Sequence, residues 1–236
     1  MLTGSTRPRY RWLIFDADGT LFDFRLGETT ALQRTTQKHG IEYSPHLHDV
    51  YKVISADLWG RFEVGEITLK HLRVVRFERL FSELGIDIAP ESFNGDFMED
   101  LGRQTQLLPG AEDLIRELSS RFKLLLATNG IAVVQRARFS RSAIRRYFED
   151  VVISDEIGVA KPQTGYMEEV FSRMGQPAKA EVLIIGDSLS SDIAAGANFD
   201  IDTCWFNPDG ADLDGGPKPT FTIANLDEID AIVSNT

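Results

Sequence analysis

The chain has 236 residues, 42% of them hydrophobic and 26% charged, which supports one large domain or two unequal ones around an ordinary apolar core. Its one cysteine, Cys204, excludes an intramolecular disulfide and a cysteine-rich zinc site. The 25 Lys and Arg against 36 Asp and Glu leave a net charge of −11, which argues against a nucleic-acid polymer as partner, because backbone binding needs clustered positive charge.

In chain order, Met1–Arg11 lacks the apolar core and small-residue cleavage site of a signal peptide. No later run approaches the ~18 apolar residues of a membrane span. A cytoplasmic protein without membrane contact is the expectation. Trp12-Leu13-Ile14-Phe15 then reads as a strand buried on both faces. From about Asp23 to Gln106 no such run occurs, and the spacing of apolar residues predicts four amphipathic helices, over 28–39, 46–62, 68–84 and 90–104. After Leu107-Leu108-Pro109-Gly110 the alternation of strand and helix resumes. Strands are predicted at Lys123–Ala127, Val151–Ile153 and Val182–Ile185, with weaker ones at Thr203–Phe206 and Phe221–Ile223. Helices are predicted over 111–119, 133–147, 165–174 and 191–197, and a Gly- and Pro-rich loop spans 207–219. The expected fold is α/β: a doubly wound, mostly parallel sheet (a Rossmann-like core) of residues 1–22 and 107–236, with a smaller all-helical insert, 23–106, after the first strand and joined by two crossings.

The strand ends carry the chemistry. The first is followed by Asp16-Ala17-Asp18-Gly19-Thr20, the second ends in Thr128-Asn129-Gly130, and the fourth runs into Gly186-Asp187 and on to Asp192. The loop after the third holds Lys161-Pro162. Ligands of open α/β sheets bind outside the carboxyl ends of the strands. Asp16 and Asp18, two apart, leave an extended chain on one face. Carboxylates gathered there repel one another until a hard cation relieves them, and Mg²⁺ takes carboxylates together with phosphate oxygens. Lys161 is a point charge suited to phosphate, and Thr128 with nearby main-chain N–H groups adds hydrogen bonds. The set predicts a site for magnesium and phosphate, with one aspartate as nucleophile and another to move protons.

These segments resemble the four motifs of the haloacid dehalogenase-like hydrolase superfamily, and the helical insert resembles that superfamily's type I cap. The resemblance implies that Asp16 attacks phosphorus, that Asp18 protonates the leaving alcohol and then activates water, and that Thr128, Asn129 and Lys161 bind the phosphoryl group. It further implies Mg²⁺ as cofactor, held by Asp16, the Asp18 main-chain carbonyl, Asp187 and Asp192. The superfamily's dehalogenases lack an aspartate two residues after the nucleophile, so Asp18 favours phosphoryl transfer. A narrower resemblance, to the pyrimidine 5′-nucleotidase branch, rests on segments such as Leu58–Thr68, Arg76–Leu80 and Asp202–Pro208. It implies a small phosphomonoester, most of all a pyrimidine nucleoside 5′-monophosphate, as substrate. Trp59 and Phe62 could then stack a base and Arg61 meet a ribose or carbonyl, or Trp59 and Phe62 are simply core of the cap helices. The alternatives are a sugar phosphatase or phosphomutase with the same machinery, and, further off, a 2-haloacid dehalogenase or a non-enzymatic phosphoacceptor module.

Three side features read as structural. Arg136, Arg138, Arg141, Arg145 and Arg146, and likewise Arg73, Arg76 and Arg79, are expected on solvated helix faces. His46 and His48 lack a metal-ligand pattern. Phe199-Asp200 stands where relatives have a small residue and Gly, in a place that calls for a left-handed backbone.

Overall fold

Six short apolar runs build one parallel sheet in the computed structural model, which describes residues 9–213 and 215–234. The signal-peptide expectation therefore falls largely outside the described residues. The strands are β1 (Trp12–Phe15), β2 (Lys123–Thr128), β3 (Asp150–Ile153), β4 (Val182–Gly186), β5 (Asp202–Phe206) and β6 (Phe221–Ile223), in spatial order β3-β2-β1-β4-β5-β6. Every pairing is parallel, with Phe15 level with Leu126 of β2 and Ile185 of β4. The strand order reverses at β1 and β4, and such a switch opens a crevice at the carboxyl ends of its two strands. All four residues of β1 and all five of β4 are buried, as a parallel sheet covered on both faces requires.

The helices are α1 (Phe24–Lys38), α2 (Pro45–Glu63), α3 (Leu69–Leu84), α4 (Pro90–Gly102), α5 (Ala111–Leu118), α6 (Ala132–Arg141), α7 (Ser154–Ile157), α8 (Thr164–Met174), α9 (Ala194–Asn198) and α10 (Glu228–Ser234). None is long and apolar enough to cross a membrane. Tyr166, Met167, Val170 and Phe171 of α8 pack on Trp12, Ile14, Leu125 and Ile184 to form the core under one sheet face. On the other face Phe148 meets Phe15 edge-on, with ring centroids 6.4 Å apart.

Contacts divide the chain into two units. One holds the described residues up to Phe22, Leu107–Asn129 and those from Ala143 onward; the other holds Asp23–Gln106 and Gly130–Ser142. The second is all helical, around Tyr51, Phe77, Phe81, Phe93 and Phe97, whose rings lie as close as 4.8 Å (Phe77 to Phe93). Ile131 and Val134 belong to that same core. The helical unit is thus built from two stretches rather than the single expected insert, and α6 is part of it.

Local chemistry sets the element ends. Helix α1 begins at Phe24, earlier than the expected start at Glu28, because the Asp23 carboxylate accepts the Leu26 N–H (3.0 Å). Gly27 lies within α1 at a close approach: a Cβ there would lie 3.1 Å from Gln104 Cβ. The predicted helix over 133–147 stops at Arg141, Ser142 is extended, and a 3₁₀ turn follows over Ala143–Tyr147. The predicted helix over 191–197 splits into a π-helical turn, Leu189–Ile193, and α9. Asp200 does adopt the left-handed conformation, at φ 54°.

Two arginines depart from the solvated-face expectation. Arg138 is buried and donates from Nε to Gln104 O (2.9 Å), with its guanidinium over the Phe24 ring. Arg76 is buried too; it donates to the Tyr51 hydroxyl (3.2 Å) and lies over the rings of Tyr51, Phe77 and Phe97. The long stems take up apolar surface and the planar heads stack on aromatics, which charge counting along a helix does not reveal.

Helix α9 packs on β4 and β5 through Gly196, where a Cβ would lie 2.3 Å from Thr203 Cγ2 and 2.7 Å from Ile184 Cγ2. Gly196→Ala is expected to destabilise the protein by about 1–3 kcal/mol by overpacking, despite alanine's better helix propensity. A denaturant midpoint equal to that of the unsubstituted protein would contradict this packing.

Candidate active site

Beyond β1 the chain makes a tight turn: Ala17 O accepts the N–H groups of Leu21 (3.0 Å) and Phe22 (2.9 Å), and Gly19 N–H donates to Phe22 O (3.1 Å). Gly19 sits at φ +86°, and a Cβ on it would fall 2.4 Å from Asp187 Oδ2, so both conformation and space demand glycine. The turn carries Asp16 and Asp18 and delivers the Thr20 hydroxyl to Asp187 Oδ1 (3.1 Å). Asp16 itself prolongs the β1–β4 ladder, its N–H donating to Ile185 O (2.9 Å).

On the neighbouring strand, β4 ends at Gly186, and Asp187 follows with its carbonyl accepting from the Trp205 indole N–H (2.9 Å). The π-helical turn then brings Asp192 back under the strand end. Its Oδ2 accepts the Ser188 N–H (3.1 Å), and a Cβ on Gly186 would lie 2.2 Å from Asp192 Cγ. Carboxylate oxygens of Asp16, Asp187 and Asp192 all lie within 4.8 Å of one another. The Asp18 side chain, half-buried in the adjoining turn, is not one of that set.

Lys161 is buried and commits all three ammonium hydrogens: to Asp16 Oδ1 (2.7 Å), Asp192 Oδ1 (2.6 Å) and Ala127 O (2.7 Å). Thr128, the buried last residue of β2, follows Ala127 directly. Asn129 comes next, with its amide turned to the Lys161 main chain and to Ser191. The Lys161–Pro162 peptide bond is cis. The Tyr166 hydroxyl ties the ends of β3 and β2 together through Val152 O (2.8 Å) and Thr128 O (3.4 Å).

Three carboxylates face one ammonium, and the balance shows in their protonation. Burial, followed by the charges of Asp192 and Asp187, pushes the Asp16 carboxyl well above the usual carboxylate range, although Lys161 pulls it down. Asp187, exposed as a residue, is nonetheless pushed up to about 7 by desolvation and then by Asp192. Burial alone would lower Lys161, but the charges of Asp16 and Asp192 hold it above its ordinary value. A set of hard oxygen donors that cannot all ionise comfortably fits a divalent cation of the magnesium kind.

Of the sequence-predicted residues of the α/β unit, Asp16, Asp187, Asp192, Lys161, Thr128 and Asn129 stand at the carboxyl ends of neighbouring strands, with Asp18 in the adjoining turn. Thr20, Ser191, Tyr166 and the close approaches at Gly19 and Gly186 were not singled out; a polar residue beside a motif carries no signal of its own. The predicted substrate residues of the helical unit are arranged differently. Trp59 and Phe62 on α2 meet edge-on at 5.7 Å and pack, half-buried, against the helical core. Arg61 is exposed and pairs with Glu66 (3.1 Å).

A model of the haloacid dehalogenase-like hydrolase family matches residues 10–200. The chain is 32% identical to the pyrimidine 5′-nucleotidase YjjG of Escherichia coli, over 95% of this chain and 98% of that protein. It is 33% identical to the pyrimidine 5′-nucleotidase PynA of Streptococcus pneumoniae, over 93% of each. Among solved structures, the putative HAD-hydrolase YfnB of Bacillus subtilis, bound to magnesium, superposes with a TM-score of 0.90 at 35% identity, covering 96% of this chain and 99% of that one.

Proposed function

The chain belongs to the haloacid dehalogenase-like hydrolase family, and from that premise we propose that it is a Mg²⁺-dependent phosphomonoesterase acting on a pyrimidine nucleoside 5′-monophosphate through an aspartyl-phosphate. The observation that carries this is Asp16 at the end of β1, within 2.7 Å of the Lys161 ammonium, with a second aspartate two residues on. The donor set of Asp16, Asp187 and Asp192, together with the Asp18 main-chain carbonyl, would hold the cation, which supplies charge neutralisation for a dianionic phosphate.

An Asp16 oxygen attacks phosphorus; Asp18 acts as general acid toward the leaving alkoxide, and the P–O bond to the alcohol breaks. Asp18, now a carboxylate, takes a proton from the water that attacks the acyl-phosphate, which returns Asp16 and releases inorganic phosphate. Lys161 exchanges one of its carboxylate partners for a phosphoryl oxygen, and the Thr128 hydroxyl with the Asn129 main-chain N–H bonds the others. Unaided hydrolysis of such esters is slow enough that positioning and charge stabilisation must act together. A halide leaving group would need no proton, so Asp18 favours phosphoryl transfer over dehalogenation.

The test is a panel of phosphomonoesters assayed with Mg²⁺: UMP, dUMP, dTMP, AMP, phosphoglycolate and hexose phosphates. Fastest turnover of the pyrimidine nucleotides is expected. Poor activity on all three would overturn the nucleotide assignment and leave the phosphatase. Analysis of the hexose phosphate products separates hydrolysis from transfer within the sugar.

The raised Asp187 carboxyl predicts a pH effect. A group whose folded-state pKa is raised stabilises the fold below its unfolded value, near 3.8, and that stabilisation is lost as pH climbs through about 7. In the presence of a chelator, Asp187→Asn should therefore gain in Tm over the unsubstituted protein progressively between pH about 4 and about 7. Excess Mg²⁺ should reverse the order. A difference in Tm that ignores both pH and Mg²⁺ would refute it.

A further inference from the structure

We propose that Asn129 is a positioning residue, which acts on the phosphoryl group through Lys161 and does not touch it with its own side chain. The proposal rests on the phosphatase assignment above and assigns a role inside that site. The loop over 158–163 has no strand or helix of its own; besides the turn bond from Gln163 N–H to Ala160 O, side-chain bonds hold it. Asn129 supplies three. Its Oδ1 accepts the Lys161 N–H (2.8 Å), and its Nδ2 donates to Lys161 O (2.8 Å) and to Ser191 Oγ (3.2 Å). Lys161 is thereby gripped on both sides of its own main chain, by a residue from the end of β2.

The hydrogen inventory decides the role. A carboxamide has two N–H donors, and both are spent; its oxygen is an acceptor, as every phosphoryl oxygen is. No hydrogen is left for the substrate unless the grip on Lys161 is released. The bond to Ser191 extends the same hold to the π-helical turn that carries Asp192, so one amide ties together the loop after β3 and the turn after β4. Lys161 needs this because its ammonium must stand among Asp16, Asp192 and Ala127 O at hydrogen-bond distance, and displacement by an ångström is enough to lose such contacts.

The experiment compares the unsubstituted protein with Asn129→Ala and Asn129→Ser. Two quantities are read: amide hydrogen exchange of the peptide carrying Lys161, with a β5 peptide as control, and inhibition of turnover by inorganic phosphate. In both variants the Lys161 peptide should exchange at least about tenfold faster while β5 stays protected, and the phosphate inhibition constant and KM should rise by about tenfold. The serine variant keeps the reading available if alanine loosens β5 as well. Weakened phosphate inhibition with Lys161 still protected would make Asn129 a direct ligand and overturn the proposal. So would a deprotected Lys161 with unchanged phosphate inhibition. An unsubstituted protein that hydrolyses no phosphomonoester would instead overturn the phosphatase assignment, before any variant is made.

Discussion

Asp16→Asn should abolish turnover, by about 10⁴-fold or more, without costing the fold. The amide keeps the size of the carboxylate and can still accept from Lys161 Nζ, and the main-chain bond from residue 16 to Ile185 O is untouched. What it lacks is an anionic oxygen able to attack phosphorus. The substitution also removes a buried negative charge that the folded state accommodates poorly, as the raised Asp16 carboxyl indicates. Measured in a chelator, its Tm should therefore equal or exceed that of the unsubstituted protein. Full activity in this variant would sink the proposed chemistry, and a collapse of Tm with activity lost would point to a structural role instead.

Lys161→Met should damage both stability and catalysis. The side chain is buried, and its removal leaves Asp16 and Asp192 facing each other with Asp187 beside them. Breaking a buried ion pair by deleting one partner costs about 3–5 kcal/mol, because the remaining charge is uncompensated. Protonation of the carboxyls offsets part of this, so the deficit should shrink as pH falls. Mg²⁺ should raise the variant's Tm by more than it raises that of the unsubstituted protein, since it replaces the missing positive charge. Turnover should fall by about 10²-fold or more from loss of a donor to the phosphoryl oxygens. Chemical denaturation and steady-state rates, with and without Mg²⁺, check both halves. A variant as stable as its parent in a chelator would show that Lys161 does not neutralise the site.

Much of the α/β unit was legible because its strands are buried on both faces and so appear as unbroken apolar runs. Trp12–Phe15 matches to the residue, and even the weaker Phe221–Ile223 forms a strand. The motif residues were legible because the topology puts successive strand ends side by side, so that order along the chain becomes proximity in space. Other parts resist such inspection. The π-helical turn carries the i→i+5 bond from Ile193 N–H to Ser188 O, with Asp192 accepting the Ser188 N–H, bonds that no periodicity announces. The short α7 and α10 are too brief to show a stripe. Buried Arg76 and Arg138 look like surface residues until their aromatic neighbours, distant in sequence, are known. Side-chain roles at Asn129 were hidden for the same reason: its partners lie 32 and 62 positions away.

The two-stretch construction of the helical unit bears on how this protein can be recombined. A chimera that exchanges residues 23–106 alone for a relative's would graft four foreign helices onto a resident α6. Ile131 and Val134 would then have to fill a core they were not shaped for. Arg138 and Arg141 would offer hydrogen bonds to the replaced carbonyls of Gln104 and Gly102. The portable module is 23–106 together with 130–142, a pair of segments to be moved as one.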